Sequence, residues 1–203
     1  MEKTIVLSVP YLHLQALWKA EIIAIFLISI KDREVRMWCA VHVRDGDEAR
    51  AEALVKGILS GELEARCFHL TRSRRKKYRG QWQTVREKLL PGYLFIDTDK
   101  PEAVYRELEK TSGPQLLFSS AAFVTALETN ETALMERLAD ESGEIAVSKV
   151  KVEEDGSVKF LSGPLLQVES MVRKVNLHQR VAEIETDFLG EKRVLYLGIE
   201  IEK

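Results

Sequence analysis

Cysteine is scarce in this chain. Cys39 and Cys67 stand alone among 203 residues, with no C-x-x-C and no disulfide framework, so a reduced, cytoplasmic setting is expected. The four histidines, His13, His42, His69 and His178, are too scattered for metal-ligand spacing. Enzyme signatures are missing too: no G-x-x-x-x-G-K-[ST], no G-x-S-x-G, no H-E-x-x-H, and no paired carboxylate with a neighbouring base. No catalytic residue, metal or cofactor is therefore expected. A long apolar run is also lacking. Ile22–Ile30 covers only about half of the ~20 residues that span a bilayer, and Lys31-Asp32-Arg33-Glu34 follows it instead of a small-residue cleavage site. No stable membrane association is expected. Residues 1–36 read as an N-terminal extension of uncertain status: a packed element, a stretch upstream of a start at Met37, or, as the remote alternative, a membrane tether.

What the chain does have begins at Met37. Trp38–Val43 alternates as a strand, Arg44-Asp45-Gly46-Asp47 is a turn with Asp47 as helix cap, and Ala49, Ala53, Leu54, Ile58 and Leu59 recur at helical spacing up to Gly61. A short strand, Arg66–Thr71, leads into a basic hairpin, with Trp82–Lys88 as its return. Leu89-Leu90-Pro91-Gly92 is a turn, because Pro91 disfavours a helical Leu90 and Gly92 tolerates unusual backbone angles. Tyr93–Ile96 then begins a strand, with Tyr93 and Phe95 on one face and Leu94 and Ile96 on the other. Both faces are apolar, one suited to the core and the other to a partner. Pro101 opens a second helix with Val104, Tyr105 and Leu108 inward, Leu116–Phe118 is a short strand, and Asn130 opens a third helix. Strands and helices interleave without a parallel-type repeat, so an α+β domain with an antiparallel sheet is expected over 37–138. Residues 139–148 have linker composition. From Val147 on, five short strand-like runs separated by turns predict a small all-β barrel, with that domain placed at 149–203.

The order Trp38-Cys39-Ala40-Val41, helix, basic hairpin, Leu90-Pro91-Gly92-Tyr93-Leu94-Phe95-Ile96, and then Phe160-Leu161-Ser162-Gly163-Pro164-Leu165, Val172-Arg173-Lys174-Val175-Asn176, His178, Arg180 and Phe188-Leu189-Gly190-Glu191 resembles the NusG family of bacterial transcription elongation factors. The resemblance implies an NGN-like N-terminal domain and a C-terminal KOW domain, an SH3-like barrel whose motif includes Gly163 and Pro164. Its wording is most similar to the LoaP branch, specialised antitermination factors that recognise an RNA hairpin in the nascent leader. Gln167 and Ser170 replace glycines usual in the KOW motif, so the turn there is expected to be built differently.

What the resemblance implies about partners is specific. Tyr93 and Phe95 fall on the strand that meets the clamp of the largest subunit of RNA polymerase, Leu117 and Phe118 complete that patch, and Tyr105, with Arg106 and Glu107, falls where relatives touch a second polymerase element. The barrel is the expected site for a ribosomal protein or termination factor. The residues themselves add a nucleic-acid reading. Arg72, Arg74, Arg75, Lys76, Lys77 and Arg79 put six cations into eight residues of the hairpin tip with no acid among them, a pattern that neutralises phosphates. Tyr78 and Trp82 interleave aromatic surface for stacking on unpaired bases. Arg173, Lys174, Asn176, His178 and Arg180 form a second basic cluster. The same hairpin run also suits a solvated tip that keeps a sheet edge soluble. The function implied is a polymerase-binding antitermination factor recruited by leader RNA, with a general elongation factor as the alternative.

Overall fold

The computed structural model describes residues 36–60, 63–110 and 124–202. The short strand expected at Leu116–Phe118 and the apolar run Ile22–Ile30 lie outside the described residues. Among those described, no helix is long and apolar enough to cross a membrane.

Residues 36–203 form one compact unit. In chain order the elements are β1 (Met37–His42), α1 (Glu48–Ile58), β2 (Arg66–Phe68), β3 (Thr71–Tyr78), β4 (Gln81–Lys88), β5 (Tyr93–Thr98), α2 (Pro101–Lys110), β6 (Val124–Ala126), α3 (Thr129–Leu138) and β7 (Glu144–Ile145). There follow β8 (Ser148–Val152), β9 (Val158–Ser162), a 3-10 segment (Pro164–Met171), β10 (Val172–Asn176), β11 (Val181–Phe188) and β12 (Glu191–Ile201). The first half is α+β and the last part is mostly strand, as the sequence predicts.

Three sheets organise these strands. An antiparallel sheet runs β2-β5-β1-β6, the hairpin sheet runs β4-β3-β7, and the barrel sheet runs β10-β11-β12-β8-β9. Two pairings, β3 with β7 and β12 with β8, are parallel, and the first departs from the antiparallel sheet expected of the N-terminal domain. The stretch expected as a linker is structured: Asp140 caps its own turn by accepting the Ser142 and Glu144 N–H groups, and β7 then pairs with the root of β3.

Strand alternation on β5 decides where the two cores lie. Leu94 and Ile96 pack with Val41, Ala51, Val55, Val104 and Leu108, so one face of the sheet is covered by α1 and α2. The buried helical face is Ala51, Val55 and Leu59, with Leu54 and Ile58 packed at its margin as predicted; Ala49 and Ala53, also predicted inward, are exposed. Likewise Tyr105, predicted inward, is exposed on α2, because Val104 and Leu108 alone fill its contact with the sheet. At α3 the cap is Glu128 with Glu131 in a reciprocal capping box rather than Asn130.

Sequence reasoning overlooked Glu48. It is the first residue of α1 and is buried. Its carboxylate pairs with Lys88 and accepts the N–H groups of Gly92 (2.8 Å) and Gly46 (3.0 Å). One side chain thus ties α1 to the end of β4 and to the Pro91-Gly92 turn. Burial alone would raise its pKa, but the Lys88 ammonium and the backbone donors outweigh that and hold it down at about 2. Asp47, expected as the cap, makes no side-chain cap bond.

Candidate nucleic-acid interface

The hairpin forms as expected, with Tyr78 opposite Gln81 and a two-residue tip, Arg79-Gly80, both at positive φ. That is the geometry of a type I′ turn, which matches strand twist. Tyr78 is the most exposed large apolar side chain described, at 60%.

The cations are not uncompensated, and here the sequence expectation needs correcting. Cross-strand pairing sets Glu87 opposite Arg72. Its carboxylate contacts Arg72 (3.5 Å), Arg74 (3.4 Å) and Lys76. Lys76 first, then Arg74 and Arg72, hold Glu87 below the ordinary carboxylate range. Arg75 pairs with Glu200 of β12 at 3.3 Å, and Arg72 donates to the Tyr196 carbonyl at 2.7 Å. Among the described residues, Lys77 and Arg79 are the hairpin cations of that run with no acidic partner. Replacing Glu87 by Gln is therefore expected to raise affinity for single-stranded RNA several-fold by freeing three cations, measured by fluorescence anisotropy; unchanged affinity would mean those three cations take no part.

The barrel contributes the second wall. β12 lies directly on β3. A Cβ on Gly198 would stand 2.3 Å from the Ser73 carbonyl oxygen and 3.0 Å from the Arg74 Cα, so only glycine permits this approach. The turn between β10 and β11 is closed by Asn176, whose side-chain oxygen accepts the Gln179 N–H. Arg180 follows at φ 56, an uncommon conformation for a non-glycine residue. Its guanidinium sits over the Trp82 ring, 4.9 Å from the centroid. Between hairpin and turn lies an open cleft of about 500 Å³ lined by Arg74, Arg75, Lys76, Lys77, Trp82, His178 and Gln179.

The structure thus gathers most of the hairpin candidates with His178, and Arg180 through Trp82. It does not gather Arg173 and Lys174, which are exposed on β10, Arg173 being paired with Glu185 at 2.7 Å. Gln179 was missed, having no charge or periodicity to signal it. Gly163 holds φ 94, and a Cβ there would meet the Ser148 Cα at 2.7 Å; Pro164 begins the 3-10 segment, where Leu165 N–H donates to Ser148 Oγ. Gln167 and Ser170 are exposed in that segment and neither has a positive φ, so this backbone does not require glycine at either position.

The aromatic candidates on β5 lie differently. Phe95 is fully buried among Trp38, Phe68 and Phe188, its ring centroid 6.0 Å from that of Phe188 on the barrel strand β11. Tyr93 is half-buried, with the Arg193 guanidinium over its ring. The second face of the sheet, expected to be free for a partner, is thus covered by the barrel. α3 strengthens the contact, because Glu131 accepts the Leu189 N–H at 2.6 Å. Leu117 and Phe118 lie outside the described residues. Cys39 and Cys67 are buried strand residues whose thiols burial pushes up to about 12, which leaves them inert as nucleophiles.

Residues 36–135 match the family model described as "Transcription termination factor nusG". The chain is 25% identical over 167 residues to the transcription termination/antitermination protein NusG of Thermus thermophilus, covering 76% of this chain and 91% of that protein. A solved structure titled "Domain interaction in Thermotoga maritima NusG" aligns at 16% identity and a TM-score of 0.42, over 81% of this chain and 94% of that one.

Proposed function

We propose, on the premise that residues 36–135 are a NusG-family domain, that this chain is a specialised antitermination factor of the LoaP type. It binds the clamp of bacterial RNA polymerase and is addressed to its target by an RNA hairpin in the nascent leader. The NusG family binds RNA polymerase, and the finer reading rests on one observation: the basic hairpin and the barrel turn converge on a single cleft that contains cations, an aromatic ring and two polar side chains. Cations supply sequence-independent affinity, and Trp82, His178 and Gln179 offer stacking and hydrogen bonds to exposed base edges.

In this reading Tyr93 and Phe95 are the clamp anchors, with Leu117, Phe118 and Tyr105 at the margin of the footprint. Aromatic side chains seated in a groove are the usual hot spots of such contacts. Phe95 is under the barrel, so clamp binding requires the barrel to leave the sheet. Binding that favours a closed clamp lowers the population of paused polymerase, and terminators are read through. Arg173, Lys174 and Asn176 extend the RNA footprint along β10.

A general elongation factor is the second reading. The neutralisation of Arg72, Arg74 and Lys76 by Glu87 favours it, since a hairpin so paired grips RNA less. Its barrel would serve a ribosomal protein or termination factor. Transcription in vitro through a terminator separates the two. With bacterial polymerase, the full chain is expected to raise readthrough on templates that carry the native leader hairpin and not on templates with that hairpin scrambled. An equal effect on both templates would establish the general factor instead.

A further inference from the structure

We infer that the cleft between the hairpin and the barrel turn is a composite site for single-stranded nucleic acid that exists only while the barrel is seated, so that an occupying strand clamps the barrel over Phe95. This rests on the reading of the hairpin as an RNA contact and adds a direction of coupling to it.

Arg74, Arg75, Lys76, Lys77 and Trp82 come from β3 and β4, and His178 and Gln179 from the turn between β10 and β11. Neither set lines the cleft alone. Four contacts hold the walls together: Arg180 over Trp82, Gly198 against the Ser73 carbonyl, Arg75 with Glu200, and Arg72 donating to the Tyr196 carbonyl. Arg180, left-handed at φ 56, ends the barrel turn with its carbonyl accepting the Ile199 N–H, and from there its guanidinium reaches over Trp82. The cleft is open and lined by cations and one indole ring, which suits a flexible strand with splayed bases.

The coupling follows by linkage. A ligand that touches both walls binds the seated form more tightly, and therefore shifts the population toward it. Phe95 is covered in that form. Strand binding in the cleft and clamp binding at Phe95 are then mutually weakening, and the nucleic acid must be handed off before Phe95 can dock.

Gly198→Val tests this without altering any cleft residue. Valine suits a strand, and the three atoms nearest a Cβ at this position all belong to the β3 backbone, so the variant is expected to unseat the barrel without replacing any hairpin or turn residue. Anisotropy titrations of the full chain with an eight-nucleotide oligouridine, and with oligothymidine to compare RNA with DNA, are expected to show roughly a tenfold loss of affinity in Gly198→Val, since the contacts of one wall are lost. Circular dichroism checks that the barrel remains folded. As a control that does not depend on that variant, Lys77→Ala and His178→Ala, on opposite walls, are expected to be non-additive in a double-mutant cycle. Saturating oligouridine is also expected to slow amide exchange in β12 of the wild type. If Lys77→Ala weakens binding but Gly198→Val does not and the cycle is additive, the hairpin binds alone and the composite site is wrong, while the RNA reading stands. If neither variant changes affinity, both fail.

Discussion

Phe95→Ala is expected to destabilise the protein by about 3–5 kcal/mol, the usual range for truncating a fully buried phenylalanine. Phe95 has no exposed surface and is ringed by Trp38, Phe68 and Phe188, two from its own sheet and one from the barrel. Trp38 and Phe68 meet edge to face at 4.8 Å, so the residual cavity is walled by rings that cannot collapse into it. Because Phe188 belongs to the barrel, the loss also weakens the seating of one on the other. Urea unfolding of the wild type, with its shared core, is expected to show a single transition, and the variant a second, earlier one for barrel release. A loss below about 1 kcal/mol would mean that the Phe95–Phe188 contact is not the seat of the closed form.

Glu48→Gln is expected to be nearly as costly. Removing one partner of a buried ion pair leaves an uncompensated charge and typically costs about 3–5 kcal/mol; Lys88 is itself part-exposed, which places the expectation at the low end. The amide would also set a donor toward the Gly92 and Gly46 N–H groups. The sign of the pH dependence follows from the depressed pKa. Glu48 titrates at about 2 in the folded chain, below its ordinary value near ~4.3, so its contribution is present above that ordinary value and disappears as pH falls toward 2. The change is roughly 3 kcal/mol over that window. Glu52 and Asp140 are shifted in the same direction and add to the acid lability. The difference in stability between wild type and Glu48→Gln should therefore shrink as pH is lowered from 6 to 2.5. A constant difference across that range would contradict the assignment.

Much of the fold was legible because it is written locally. Strand alternation in Trp38–Val43, the Pro91-Gly92 turn, and the five runs after residue 148 are each set by neighbours a few residues apart. What escaped was set by distant partners. Glu87 lies far from Arg72 in sequence, and only the register of the hairpin makes it the counter-charge for three cations. Glu48 looked like an ordinary first-turn acid, and its burial depends on Lys88 and Gly92 folding back onto α1. Phe95 has an apolar strand around it on both faces, and nothing local tells whether the second face meets another molecule or this chain's own barrel. Gly198 sits in an unbroken strand with negative φ, so its role as the point of closest approach to β3 has no sequence signature. The candidate site was read as a list of cations; its form as a cleft needed the three-dimensional meeting of hairpin and turn.

We propose that RNA addresses this protein to its target. The most direct measurement is a titration of the full chain with the structured leader hairpin of its own operon and with a scrambled hairpin, each at two salt concentrations. Tight binding to the native hairpin alone is predicted, with log affinity falling against log salt at a slope on the order of −2 to −3, as expected for a few phosphate contacts to unpaired strand. Equal, weak binding to both hairpins that vanishes at the higher salt would contradict the account, and the hairpin would then be a charged tip on a general elongation factor.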